Sequence, residues 1–125
     1  VEGMDMDLVV SSDVESDVTV LTVSGDVDAF SAPQLRDGIE AQIAAGRHTL
    51  VVDLDAVPFM DSTGLGVLVG GLRLATLHQG AMTLSRIPAR IQRVMLITGL
   101  DDVFDIAATR AAAIDAARAK AAAFS

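Results

Sequence analysis

At 125 residues, 51% hydrophobic and with a net charge of −8, the chain is long enough for one compact domain with a sizeable core. It has no Trp, Tyr or Cys and only four Phe. That argues against an aromatic platform for single-stranded nucleic acid, excludes disulfides and thiolate chemistry, and suits a reducing cytoplasm.

The charge is unevenly placed. Glu2, Asp5, Asp7, Asp13, Glu15, Asp17, Asp26 and Asp28 fall within residues 1–30, which contain no Lys or Arg, while the remaining acids and bases cancel. An acidic N-terminal segment argues against direct DNA binding and for a basic protein partner, with a solvated edge as the plainer alternative. No apolar run approaches the roughly 18 residues of a membrane span, and the acidic start is unlike a signal peptide.

"MDMDLVVS" places Met4, Met6, Leu8 and Val10 on one face and Asp5 and Asp7 on the other, the pattern of a half-exposed strand. "SSDVESD" reads as a polar turn into a central strand, "VTVLTVSG", paired to the first as a hairpin. After the loop "GDVDAF", the run "SAPQ" predicts a helix start. Ser31 would be the cap, Pro33 lies in the first turn and Gln34 takes the capping-box position. Leu35, Ile39, Gln42 and Ile43 form its stripe and Gly46 its end.

"HTLVVDLD" reads as a buried strand, and "STGLGVLVGGLRLATLHQG" as a helix ending at Gly80. That helix carries Leu65, Leu68, Leu72 and Ala75 on one face and Val67, Leu74 and Leu77 on another. "AMTLS" is a short strand, Pro88 opens a helix closed by Gly99, and "VFDI" is a last strand. "TRAAAIDAARAKAAAF" is a strong helix former with Thr109 as its cap. The expected fold is α/β, with a mixed, mostly parallel sheet of about four or five strands, an N-terminal antiparallel hairpin and about four helices. Right-handed crossovers would put the helices on one face, within a single domain spanning the chain.

Ser62 in "VPFMDSTGLGVLVGG" raises the question of chemistry. As a nucleophile it meets half of the G-x-S-x-G elbow, since Met60 stands at the first glycine position. It also lacks a base. His78 is sixteen residues on along the same helix, roughly 24 Å away, and His48 is about 20 Å away at the far end of the preceding strand. The only lysine is Lys120, in the tail. This speaks against an enzyme. The two histidines read as surface residues at element ends, too far apart to share a metal, and Asp26, Asp28 and Asp61 make at best a weak Mg²⁺ set. No cofactor is expected.

Gly64, Gly66 and Gly70 follow G-x-G-x-x-x-G, with Val69 where a dinucleotide loop wants its third glycine, and no Walker lysine follows. The glycines are better read as packing devices: Gly64 and Gly66 for close backbone approach, Gly70 and Gly71 for a narrow helix. Ser62 fits best as a modified residue. Asp61 or Ser62 caps the helix at the C-terminal end of a buried strand, where α/β domains present function. A phosphoryl group on Ser62 would add about −1.5 to −2 charges beside free N–H groups and the positive helix end. The fold would tolerate it; a partner surface matched to a neutral hydroxyl, with Asp61, Asp26 and Asp28 nearby, would not.

"FMDSTGLGVLVG" (59–70), "VSGDVDAFSAPQL" (23–35) and "MLITGLDDVFDI" (95–106) resemble the STAS-domain anti-sigma factor antagonists of bacterial partner-switching systems, over about residues 8–108. The Ala-rich helix, about 109–124, extends beyond that core. The resemblance implies a binding module whose unphosphorylated form engages an anti-sigma factor that is also a serine kinase, freeing a sigma factor. A PP2C-type phosphatase resets it. By position, Ser62 is the implied phosphoacceptor, with Thr63 as a second hydroxyl. Asp28 and Asp61, with Asp26 in the same loop, match the acidic lining, and Gly64, Leu65 and Gly66 match the docking helix start. Two other readings compete: a soluble STAS accessory subunit of a lipid or anion transporter, and a small-ligand sensor using an apolar groove between helices.

Overall fold

The computed structural model describes residues 7–124, so the Met4–Met6 part of the first expected strand lies outside the described residues. Strands β1 (Val9–Glu15) and β2 (Val18–Ser24) pair antiparallel through a two-residue turn, Ser16–Asp17. Ser16 takes the left-handed φ of 61° that such a tight hairpin requires at its first loop position. The expected turn over "SSDVESD" is therefore strand for most of its length. β1 is an edge strand: Leu8 just ahead of it is buried and Val10 half-buried, as the alternation predicts, but beyond Val10 it is exposed and backbone pairing alone defines it.

Three further strands, β3 (Thr49–Ala56), β4 (Ala81–Ser85) and β5 (Asp105–Ala107), pair in parallel with β2 and one another, in the order β1-β2-β3-β4-β5. This is the mixed, mostly parallel sheet that the sequence predicts. Helices α1 (Ala32–Ala44), α2 (Ser62–Leu77) and α3 (Ala89–Thr98) are the crossovers, and they pack on one face. Leu35, Ile39, Leu68 and Met95 bury there against Leu21, Leu50, Val52 and Leu84. Of the second apolar face expected on α2, Val67 and Leu74 are half-buried and Leu77 is exposed.

Helix α4 (Arg110–Ala122), capped by Thr109 as expected, lies on the opposite face. Ala113, Ile114 and Ala117 pack against Val18, Val20, Val51 and Ala81. The expectation of helices on one face only fails here for a topological reason. Among the described residues α4 is not a crossover between two strands, so the crossover rule does not constrain it, and the valines of the bare sheet face need a cover. Alanine lets the helix backbone approach those β-branched side chains closely.

Ser31 does not cap α1. It is already helical in conformation (φ −97°, ψ −18°) and makes no side-chain cap bond. Its hydroxyl accepts the Asp28 N–H at 3.0 Å and lies 2.8 Å from the Asp26 carbonyl oxygen, while Gln34 Nε2 donates to the Leu8 carbonyl at 2.7 Å. Both side chains of the expected capping box are spent on tying the β2–α1 loop and the entry to β1.

One carboxylate joins the two layers. Asp53, almost fully buried on the α4 side of β3, accepts from Ser85 Oγ at 3.0 Å, Arg86 Nε at 2.9 Å and Arg110 Nε at 3.4 Å. Arg110 also donates to Thr22 Oγ1 at 2.9 Å, so the start of α4 is pinned to β2, β3 and the end of β4. Burial works to raise the Asp53 carboxyl. The Arg86 hydrogen bond, the Asp55 amide, the Ser85 hydroxyl and the Arg86 charge outweigh it and hold the group below the usual carboxylate range.

Asp53→Ala is expected to lower the unfolding free energy at neutral pH by about 3 kcal/mol, because two guanidinium groups and a buried hydroxyl lose their acceptor. Urea denaturation checks this. The folded-state pKa is depressed, so the carboxylate's contribution is complete above its unfolded value of about 4 and drains away as pH falls through the folded value. Asp53→Asn, which cannot titrate, should therefore lose less stability than the wild type on acidification from about pH 5 to pH 2.

Candidate functional site

The site is built where β2 and β3 end. Beyond the last paired residues of the strands, Val27 and Met60 form an isolated parallel bridge. The Val27 N–H donates to the Phe59 carbonyl at 2.9 Å, and the Asp61 N–H donates to the Val27 carbonyl at 3.0 Å. Gly25, at φ 109°, turns the chain out of β2 and donates to the Ala56 carbonyl at 3.0 Å. These bonds bring the "GDVD" loop and the start of α2 side by side, which places Asp26 and Asp28 in the loop next to Asp61, Ser62 and Thr63.

Between the two helix-end alternatives, Asp61 is the cap. Its backbone is extended (φ −93°, ψ −175°), and its Oδ1 accepts the Thr63 N–H at 2.9 Å and the Gly64 N–H at 3.1 Å. Ser62 is the first helical residue and exposed, as is Thr63. This changes the expected surroundings of a phosphate on Ser62. Two of the three amides ahead of the first helical bond are already held by the Asp61 carboxylate, so the added charge would stand beside an anion rather than in a vacant amide cradle.

Asp28 organises the facing loop. Its Oδ1 accepts the Phe30 N–H at 3.0 Å and the Ser31 N–H at 2.9 Å. The Ser31 amide holds this carboxyl below its ordinary range against the opposing effect of burial, with the Ser31 hydroxyl and the Phe30 amide adding to it. Asp28 is thus a fixed negative charge at neutral pH. Asp26 and Asp28 border, with Asp7, Phe30 and Ser31, a depression of about 410 Å³.

The glycines divide by role. A Cβ on Gly64 would lie 2.7 Å from both Met60 Cγ and Val27 Cγ1, so this glycine lets α2 sit on the bridge itself. A Cβ on Gly71 would press Met82 and Ile39 at 3.1–3.2 Å. Gly66 and Gly70 would meet nothing within 4 Å. The expected close approach at Gly66 and narrowing at Gly70 are therefore absent, and both residues instead line an open groove of about 370 Å³ between α1 and α2, bordered by Arg36, Thr63 and Leu74. Leu65 is buried like Gly64, so of the three residues Gly64, Leu65 and Gly66 only Gly66 offers surface.

Two residues escaped the sequence reading. Phe30 is 95% exposed and Phe59 44% exposed, one in each of the two loops joined by the bridge. The signal was present: in a chain with four Phe, one falls two residues after Asp28 and one two residues before Asp61. No group of three or more His, Asp or Glu side chains suited to a metal exists among the described residues. No helix among them is long and apolar enough to cross a membrane.

A STAS domain model matches residues 9–113. The anti-sigma-B factor antagonist of Bacillus subtilis is 38% identical over 94 residues, 75% of this chain and 84% of that protein. Among solved structures, an anti-sigma factor antagonist from Mycobacterium paratuberculosis superposes with a TM-score of 0.77 at 31% identity, covering 89% of this chain and 94% of that one. The Bacillus cell fate determinant SpoIIAA in its phosphorylated form gives a TM-score of 0.68 at 26% identity, covering 86% and 97%. The chain belongs to the STAS-domain family.

The two glycines that flank Leu65 should respond oppositely to one added methyl group. Gly64→Ala is expected to cost about 1–3 kcal/mol through overpacking against Val27 and Met60. Gly66→Ala should be neutral or gain up to about 1 kcal/mol from helix propensity. Thermal melts of the two variants check the difference.

Proposed function

We propose that the chain is an anti-sigma factor antagonist, a binding module and not an enzyme, whose docking surface is gated by phosphorylation of Ser62. The observation that carries this reading is an exposed hydroxyl, that of Ser62, on the first residue of α2 beside the Asp61 cap and the Asp28 loop. The names of the relatives support the antagonist role, and a neighbour solved in a phosphorylated form supports the modification.

In the unmodified state the surface combines a neutral hydroxyl, the carboxylates of Asp26, Asp28 and Asp61, and the exposed rings of Phe30 and Phe59. A basic, partly apolar surface on an anti-sigma factor fits it: aromatic anchors supply desolvation and the acids supply register and steering. Binding there would release the sigma factor. The same partner, acting as a serine kinase, would transfer a phosphoryl group to Ser62, and a PP2C-type phosphatase would remove it. The added charge of about −1.5 to −2 would stand next to Asp61, where the nearest amides are already taken. A thousandfold loss of affinity needs about 4 kcal/mol, and an unpaired dianion buried in an interface readily costs that. Gly64 and Leu65 act through positioning, whereas Ser62, Thr63 and Gly66 contribute contact surface. Such a partner places the protein in the cytoplasm.

Incubation with an anti-sigma kinase of the same organism and Mg·ATP should add the mass of one phosphoryl group, mapping to Ser62 and absent from Ser62→Ala. Ser62→Ala should bind the anti-sigma factor constitutively and Ser62→Asp poorly. Equal binding by both would overturn the electrostatic gate. Phe30→Ala should weaken binding at least tenfold, about 1.4 kcal/mol or more. It should leave the melting temperature unchanged, because the ring is almost wholly exposed.

A further inference from the structure

The two imidazoles of the chain meet at the end of the fold opposite Ser62. His48 stands just ahead of β3 and His78 closes α2, and their ring centroids are 4.8 Å apart with the planes inclined at 39°. The expectation that they lie too far apart to share a metal is overturned by a simple coincidence of lengths. A helix of 16 residues and a strand of 8 each span roughly 25 Å. A helix running back along its strand therefore returns to where the strand began.

The pair is held in place by its surroundings. Ala81 N–H donates to the His48 carbonyl at 3.0 Å, and Gly80 lies so close that a Cβ there would collide with that carbonyl. His78 Nδ1 is 3.0 Å from the carbonyl oxygen of Leu74, one helical turn back. A carbonyl only accepts, so this contact makes Nδ1 the donor and leaves Nε2 with a free lone pair. Histidines that ligate metals characteristically show this arrangement, with the second ring nitrogen donating to a carbonyl or carboxylate.

The spacing fits as well. A zinc-like ion holds imidazole nitrogen at about 2.0–2.1 Å, so two rings on one tetrahedral ion keep their centres about 5 Å apart. The charged groups nearby are engaged with other partners. Arg47 is turned to Gln42 Oε1 at 2.6 Å, and Asp17, which shares a depression with His48, is paired with Arg118 at 2.9 Å. Mg²⁺ and Ca²⁺ prefer oxygen ligands and gain little from two imidazoles.

We propose that His48 and His78 form a two-imidazole site for a borderline divalent ion of the zinc class, with water in the remaining coordination positions. Such an ion would bridge the turn before β3 to the C-terminal end of the helix that carries Ser62 at its start. It would bind the native fold more tightly than the unfolded chain, in which the two residues are not held together.

The test is Zn²⁺ titration of the full chain, followed by calorimetry and by the imidazole proton resonances, with Mg²⁺ as control. Micromolar binding is expected, with both sets of imidazole signals shifting together and a melting temperature that rises with Zn²⁺ concentration. Mg²⁺ should do neither. His48→Gln and His78→Gln should each weaken Zn²⁺ binding at least tenfold. His78 is exposed, so its variant is expected to keep the wild-type melting temperature without metal and decides the matter should His48→Gln fold poorly. Wild-type Zn²⁺ affinity in His78→Gln, or no shift of the imidazole resonances up to millimolar Zn²⁺, overturns the site.

Discussion

The parallel pairing of β2 with β3 does not stop where the strands stop. The bridge between Val27 and Met60 prolongs it by one step, and on that step the candidate site depends. Carboxylates do not gather unaided: two exposed charges about 8 Å apart in water repel by about 0.5 kcal/mol. Here Asp26, Asp28 and Asp61 belong to segments bound through backbone amides and carbonyls, each such bond contributing about 1 kcal/mol net. The missing Cβ of Gly64 lets α2 settle on the same bridge. The acidic surface is thus imposed by the backbone, and it needs no neutralising partner within the fold.

A second anchor operates on the other side of the sheet. β3 alternates between the two layers, so Leu50, Val52 and Leu54 face α1–α3 while Val51 and Asp53 face α4. The charge on Asp53 sits at the end of that alternation, where the start of α4 supplies Arg110 and the end of β4 supplies Ser85 and Arg86. Arg86 takes a left-handed φ of 52°, uncommon for a non-glycine residue, while its side chain makes two bonds to Asp53 and its amide donates to the Ala107 carbonyl. The Ala-rich tail is consequently a structural layer. Its alanines are the small faces by which a helix covers a sheet of valines.

Much of this was legible in the sequence wherever a signal is local. Thr109 and Gly99 mark helix ends through their own side chain or backbone, and both do so in the structure. Val and Leu runs announce β2 and β3 because burial on both faces demands them. Ser31 misled because a hydroxyl can serve a loop as well as a helix end, and the choice depends on Asp28 and Asp26 rather than on spacing. Beyond Val10 the edge strand β1 carries no burial pattern to read. Gly64 and Gly66 look alike in sequence, and only the bridge beneath one of them makes them differ. The meeting of the Phe30 and Phe59 loops and that of His48 with His78 required the topology, since each joins segments distant in the chain.

The division between Asp61 and Ser62 has a consequence for how a switch can be built. A helix start offers a few unsatisfied amides, and whichever group takes them becomes part of the stability of the fold. Asp61 takes two of them and lies half-buried, while the neighbouring hydroxyl remains exposed on the first turn. A charge placed on Ser62 then has little of the fold to stabilise and little to break. Nearly all of its free energy falls on whatever surface is brought against it. Under the proposed gate, stability falls to Asp61 and recognition to the adjacent Ser62, and such separate hydrogen-bonding duties are the condition for a modification to change affinity by orders of magnitude while the domain itself stays as it was.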